Sequence, residues 1–297
     1  MNNRPFLSIC IPTYNRSAQL EACLNSIFSQ IGITDQVEVT VSNNASTDNT
    51  EEICSRFLDK YPNMRYVRKP ENIGADRNII SVASMANGVW MKLNGDDDYF
   101  MEGMLLLLLS ILHQHKECSL VHTVPWRKDG GITEGYGAEE YLKTVTNHAV
   151  AMTLTVFRRE EWLKLTDPTA WRETALSQVY WQYEILGNNP RFCVFGRNLY
   201  HYAGKAPTGY NFGEVAIQQY HQALTHFEGA GLSRETITAE MTKLLYSTLL
   251  PWYRRIVTEK LGSNVSGFED YYTQCYKDQP YYEEVLQQIR EIASTQT

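Results

Sequence analysis

The run Gly95-Asp96-Asp97-Asp98 places three carboxylates side by side, directly behind the short apolar segment that ends at Leu93. Charges of one sign at that spacing repel, and no basic residue beyond Lys92 stands near them in the sequence. Such a run is either a solvated acidic turn or a holder of a cation. A hard cation such as Mg²⁺ or Mn²⁺ takes oxygen ligands, with one or two protein carboxylates beside phosphate oxygens. In an extended segment Asp96 and Asp98 point to one face and Asp97 to the other. A second polar cluster, Pro12-Thr13-Tyr14-Asn15-Arg16, follows the apolar run Phe6–Ile11. It offers hydrogen-bonding side chains, one aromatic ring and a guanidinium, and it also reads as a strand-to-helix turn in which Asn15 caps the helix.

The elements that position these residues alternate. Phe6–Ile11 is a continuous apolar run closed by Pro12, as a buried parallel strand would be. Leu20, Cys23, Leu24, Ile27 and Phe28 then recur at helical spacing behind Ser17, a plausible N-cap. A strand over 36–44 and a helix over 46–61, opened by Thr47 or Asp48, come next. A strand over 63–70 and a helix running to Gly88 follow, then a strand over 89–95 that enters the aspartates. This alternation predicts a doubly wound, mostly parallel α/β sheet. Ligands of such sheets sit at the carboxyl ends of the strands, here Pro12–Arg16, Ser42–Ser46, Pro70–Gly74 and Gly95–Asp98. Four polar loops are therefore expected to meet at one crevice. Beyond residue 104 a helix, further strands and a helix over 174–187 extend the sheet, and from Glu214 the chain reads as helices.

Composition excludes several classes. Of 297 residues 43% are hydrophobic and 21% charged, ordinary for a globular chain, and a net charge of −7 argues against a nucleic-acid surface. Six cysteines stand singly without zinc spacing, which suits free thiols in a reducing compartment. The first sixteen residues are too polar for a signal peptide, and no apolar run approaches the ~20 residues that span a bilayer. A cytoplasmic protein is expected. Its segment Leu249–Gly262, with Trp252, Tyr253, Arg254, Arg255 and Lys260, can either rest on the inner face of the plasma membrane or pack on its own domain.

The segments "LSICIPTYNRSAQLEACLNSIFSQ", "VTVSNNASTDNTEEI", "ENIGADRNI" and "GVWMKLNGDDDYF" stand in the order and spacing of the family 2 glycosyltransferases with the GT-A fold. The resemblance is close over about residues 6–105 and thin to about 203. It implies a GT-A domain over 1–210, with a nucleotide-sugar half over 1–105 and an acceptor half over 106–210, and a helical extension over 211–297. It also implies a nucleotide-diphosphate sugar donor and a divalent metal (Mn²⁺ or Mg²⁺) at the aspartates, held by Asp96 and Asp98. Asp96 and Asp97, Pro12, Thr13, Tyr14, Asn15 and Arg16 would line the nucleotide, and Arg77 would reach the diphosphate or the base. His201, after a late strand, matches a histidine that GT-A enzymes often use as a further metal ligand.

Two departures from the family pattern stand out. Asn43 occupies a position where members commonly carry an aspartate facing the base; an amide donates as well as accepts, so Asn43 either opens the way to a CDP-sugar or only shapes the turn. The Glu-Asp pair that supplies the base in inverting members is missing from "WRETALSQVYWQYEILG". Glu173 is the nearest carboxylate and is expected as the base, and the stereochemical outcome stays open. The function this implies is sugar transfer to a saccharide or lipid-linked oligosaccharide in bacterial O-antigen or capsule synthesis. A nucleotidyltransferase would carry a Gly-rich first loop, which "IPTYNR" lacks. A non-catalytic glycan- or nucleotide-binding protein remains the other alternative.

Overall fold

A computed structural model of the chain describes residues 4–125, 130–202 and 209–295. It divides into two compact units, one of Met1–Glu173 with Ser177–Gly204, the other of Thr174–Leu176 with Lys205–Thr297. Residues 203–208, next to the boundary expected at residue 210, are outside the described ones.

The first unit opens with strand β1 (Leu7–Thr13), helix α1 (Ser17–Ile31), β2 (Val37–Asn43), α2 (Thr50–Lys60), β3 (Met64–Arg68), α3 (Ala75–Ser84) and β4 (Trp90–Leu93). β1 pairs parallel with β2 on one side and β4 on the other, so Ile9 lies between Val39 and Lys92. Leu7, Ile9 and Ile11 have no exposed surface, as expected where helices cover both faces of a sheet. The apolar stripe of α1 (Leu20, Cys23, Leu24, Ile27, Phe28) is buried as its spacing requires. Helix α3 stops at Ser84, short of the expected Gly88. Gly88 serves a different need, since a Cβ there would stand 2.6 Å from the Ser8 backbone nitrogen.

The chain continues through β5 (Asp98–Phe100), α4 (Met104–Gln114), β6 (Leu120–Thr123), β7 (Ile132–Tyr136), α5 (Ala138–Val145), β8 (Thr155–Arg158), α6 (Arg159–Trp162), α7 (Ser177–Asn188), β9 (Arg191–Phe195) and β10 (Tyr200–Tyr202). The main sheet has the order β3-β2-β1-β4-β8-β6-β9-β7. Its first four strands are parallel, β8 runs antiparallel between β4 and β6, and β7 closes the far edge antiparallel to β9. β5 and β10 form a separate two-stranded antiparallel ribbon. The order reverses between β1 and β4, the kind of switch point that leaves a crevice beyond the strand ends. The loops after β1 and β4 open there.

The second unit is helical, with α8 (Tyr220–His226), α9 (Arg234–Leu244), α10 (Leu250–Thr258), α11 (Phe268–Tyr276) and α12 (Tyr282–Ser294). Aromatic stacking binds it: Tyr253 lies on Phe268 at 4.0 Å, and Tyr272 on Tyr276 at 5.0 Å. The segment considered for a membrane surface spends its apolar face here, with Leu250, Tyr253, Ile256 and Val257 buried and Trp252 exposed beneath Arg255. No described helix is long and apolar enough to cross a membrane. All six thiols are free.

Candidate active site

The acidic run is a turn. Asp96 and Asp97 form its corner, the Asp98 amide donates to Gly95 O at 3.2 Å, and β5 begins only at Asp98. The alternation expected of an extended segment is therefore lost. One Arg16 nitrogen donates to both Asp96 Oδ1 (3.2 Å) and Asp97 Oδ2 (2.9 Å), which puts that pair on one side. Asn94, fully buried, ties the turn from behind by donating to Gly95 O at 2.8 Å and Asp98 O at 3.1 Å.

Each aspartate has a separate environment. Asp96 is 5% exposed and accepts from Thr13 Oγ1 at 2.7 Å; burial raises its pKa to about 6 against the pull of Thr13 and Arg16. Asp98 accepts from Thr153 Oγ1, whose oxygen in turn accepts the Gly95 amide at 2.9 Å; burial raises Asp98 as well, with Thr153 opposing. Behind them lies Lys92, without exposed surface, its ammonium donating to Thr153 O (2.6 Å) and Leu93 O (3.0 Å) and facing the Tyr200 ring at 4.9 Å. Burial lowers that ammonium to about 7, with the Asp98 charge opposing. The cations that compensate the acidic run are thus Arg16, from a distant loop, and Lys92, from beneath.

The other loops join this one. Asn15, at φ 52°, accepts the Thr47 amide at 2.8 Å, and its own amide donates to Ser46 Oγ at 2.9 Å. Asp48 accepts from the first amide of α1, Ser17, at 2.8 Å and from Thr50 at the start of α2, so one carboxylate serves two helix ends. Asn44 donates to Asn72 Oδ1 at 2.8 Å and Gly74 O at 3.2 Å. All four strand-end loops meet, as the sheet order requires. Tyr14 is 43% exposed at this surface.

A cleft of about 470 Å³ opens beside the turn, lined by Asp97, Asp98, His148, Met152 and Thr153 among others. Gly95 lets the carboxylates converge there. A Cβ on it would lie 2.6 Å from Asp98 Oδ2 and 3.0 Å from Asp97 Oδ1, so both oxygens border one point above its Cα. Two converging carboxylate oxygens with an open side fit a hard divalent cation. The set expected from the sequence, Asp96, Asp98 and His201, does not fit: among the described residues these three do not bring ligand atoms within 4.8 Å of one another. Asp96 is buried outside the cleft lining, held by Thr13 and Arg16. His201 pairs with Tyr99 while Tyr202 pairs with Asp98, so His201 projects from the opposite face of the ribbon. Asn43 is corrected too. Its side chain is fully buried, donating to Tyr66 Oη at 2.9 Å and accepting the Ser46 amide at 2.8 Å, so it shapes the turn rather than facing a base.

The family model described as Glycosyl transferase family 2 matches residues 8–171, more than half of the chain. The chain belongs to glycosyl transferase family 2. Among curated relatives, abequosyltransferase RfbV of Salmonella typhimurium is 38% identical over 115 residues, which cover 38% of this chain and 34% of RfbV. The chain thus matches only about a third of that relative's length. Among solved structures, S. aureus TarS 1-349 superposes with a TM-score of 0.65 at 17% identity, covering 98% of this chain and 90% of that one. The mannosyltransferase PcManGT from Pyrobaculum calidifontis, solved with GDP-Man and Mn²⁺, gives 0.54 at 17% identity, covering 99% and 87%. The fold is GT-A.

In this family 2 chain the residue expected as base does not stand in the cleft. Glu173 is 70% exposed and bound to Arg77 at 2.6 Å. That guanidinium, together with Arg172, holds it below the usual carboxylate range, which weakens it as a base. Arg77 is equally engaged, so the two expected residues neutralise each other outside the cleft. The sequence reading missed His148 and Thr153. They lie on the short 3₁₀ segments Thr146–Val150 and Met152–Leu154, which have no periodic signature. The one available sign was a histidine in the acceptor half ahead of a strand.

Proposed function

We propose that the chain transfers a hexose or deoxyhexose from a nucleotide-diphosphate sugar to a saccharide hydroxyl of a bacterial surface polysaccharide. The observation that carries this reading is the meeting of Asp97 Oδ1 and Asp98 Oδ2 over Gly95, in a cleft at the carboxyl end of β4. On this reading Asp97 and Asp98 hold a divalent cation, Mn²⁺ or Mg²⁺, which when bound offsets the charge of the departing diphosphate. Tyr14 supplies an exposed ring for the base or ribose, and Thr13 and Arg16 keep the acidic turn in place through Asp96. His148 takes the proton of the acceptor hydroxyl on a ring nitrogen, the role that Glu173 is too exposed and too strongly paired to fill.

RfbV is named for abequose transfer, and TarS has been solved with UDP-GlcNAc. These names support a nucleotide-sugar donor and leave its base open. The acceptor on this reading is a lipid-linked oligosaccharide met at the inner face of the membrane. A donor-hydrolysis screen with UDP-, GDP-, CDP- and dTDP-sugars in Mn²⁺ tests the reading. Slow, metal-dependent release of sugar from at least one donor is expected. Release from none would favour a binding protein instead.

A further inference from the structure

At the far edge of the sheet, away from β1 and β4, three side chains of different chemistry meet. His115 follows α4, Cys118 precedes β6, and Glu134 stands on the edge strand β7. A ring nitrogen, the sulfur and a carboxylate oxygen all lie within 4.8 Å of one another. A tight turn, in which the Cys118 amide donates to His115 O at 3.0 Å, sets the first two ligands, and His115 Nδ1 stands 2.5 Å from Glu134 Oε1. Glu134 reaches the spot through the ladder, paired across from Cys193 on β9.

We propose that His115, Cys118 and Glu134 bind one borderline divalent cation, Zn²⁺ being the ion whose preferences they match, with water in the fourth position. Nitrogen, thiolate sulfur and carboxylate oxygen form a tetrahedral zinc set, brought together by the fold, since the cysteines show no zinc spacing in the sequence. The sulfur argues against Mg²⁺ and Mn²⁺, which leaves this site chemically distinct from the all-oxygen cleft. Cys118 is buried while the Glu134 side chain is 64% exposed, so the site is walled on the sulfur side and open to water on the carboxylate side. Binding forms a metal–sulfur bond and releases the thiol proton to solvent. The bound ion would staple the edge strand β7 to the end of α4 and the start of β6. Edge strands pair on one side only, so that link blocks fraying where the ladder is weakest.

Cobalt is the probe. The full chain, stripped with chelator, is titrated with Co²⁺ while the sulfur-to-metal charge-transfer band and the visible bands of tetrahedral cobalt are followed. One equivalent should give both, Zn²⁺ should displace them, and Asp98→Asn, which alters only the cleft, should leave them unchanged. Cys118→Ser should abolish the charge-transfer band. His115→Gln, at a side chain that is partly exposed and need not unfold the protein, should lose the tetrahedral spectrum. Absence of a charge-transfer band in the wild-type chain at saturating Co²⁺, or its survival in Cys118→Ser, would overturn the assignment.

Discussion

Gly95→Ala changes one hydrogen into a methyl group at the point where the two cleft carboxylates meet. The backbone permits it, since Gly95 does not adopt a left-handed conformation. The new Cβ would stand 2.6 Å from Asp98 Oδ2 and 3.0 Å from Asp97 Oδ1, both well inside ordinary contact. These are the far ends of side chains, so rotation relieves the clash and the main chain need not move. Rotation has a cost, because Asp98 must release Thr153 Oγ1 and Asp97 Oδ2 shifts relative to Arg16. A charge-assisted hydrogen bond contributes about 1.5–3 kcal/mol, or roughly tenfold to a hundredfold in an equilibrium constant. The variant should therefore fold and melt cooperatively, yet need about tenfold to a hundredfold more Mn²⁺ for half-maximal nucleotide binding. Calorimetric titration of a nucleoside diphosphate at several metal concentrations, beside a thermal melt, reads both quantities. A folded Gly95→Ala chain with wild-type metal dependence would refute the convergence argument.

Other substitutions test the separate roles. His148→Ala should lower transfer by about 10²–10⁴-fold, the usual contribution of a positioned base, while nucleotide affinity stays near wild type; unchanged transfer would remove His148 from the reaction. Glu173→Gln should leave the transfer rate close to wild type, because the residue is exposed and paired with Arg77, and a loss as large as that of a missing base would restore it as the candidate. Burial, with His148 nearby, lowers the His122 imidazole to about 3, so below its ordinary pKa of roughly 6.5 the unfolded chain binds a proton that the folded one refuses. Stability should be full above that pH and fall as pH drops towards 3, by at most about 1.4 kcal/mol per pH unit from this group. Melting His122→Phe across the same range should show a shallower slope, and an identical slope would exclude His122 as the source.

The first hundred residues were legible because each signal in them is local. Phe6–Ile11 reads as a strand from its own composition, α1 from its stripe, and the acidic run from its charge. Strand ends of a doubly wound sheet meet by topology, so the four loops could be named in advance. Facts that depend on distant pairing could not. The insertion of β8 between β4 and β6 follows from no feature of residues 155–158 alone. Arg16 reaches Asp96 and Asp97 across some eighty positions of sequence, and the turn at Asp96–Asp97 cancels the strand parity that had joined Asp96 to Asp98. Likewise His201, expected just after a late strand, lies on β10 itself, and its face is set by its partner Tyr99. Chemistry was legible in kind. The proposed assignment to Asp97 and Asp98 rather than Asp96, and to His148 rather than Glu173, rests on the fold.

The most direct test of the central claim is equilibrium binding of UDP, GDP, CDP and dTDP to the wild-type chain and to a folded Asp97→Asn/Asp98→Asn variant, with and without Mn²⁺. The expected result is that at least one nucleotide binds the wild type more tightly in Mn²⁺, and that the metal gives the variant no such gain. Metal-independent binding by the wild type, or an equal gain in both proteins, would contradict the assignment of the cleft to a metal-held nucleotide-diphosphate sugar.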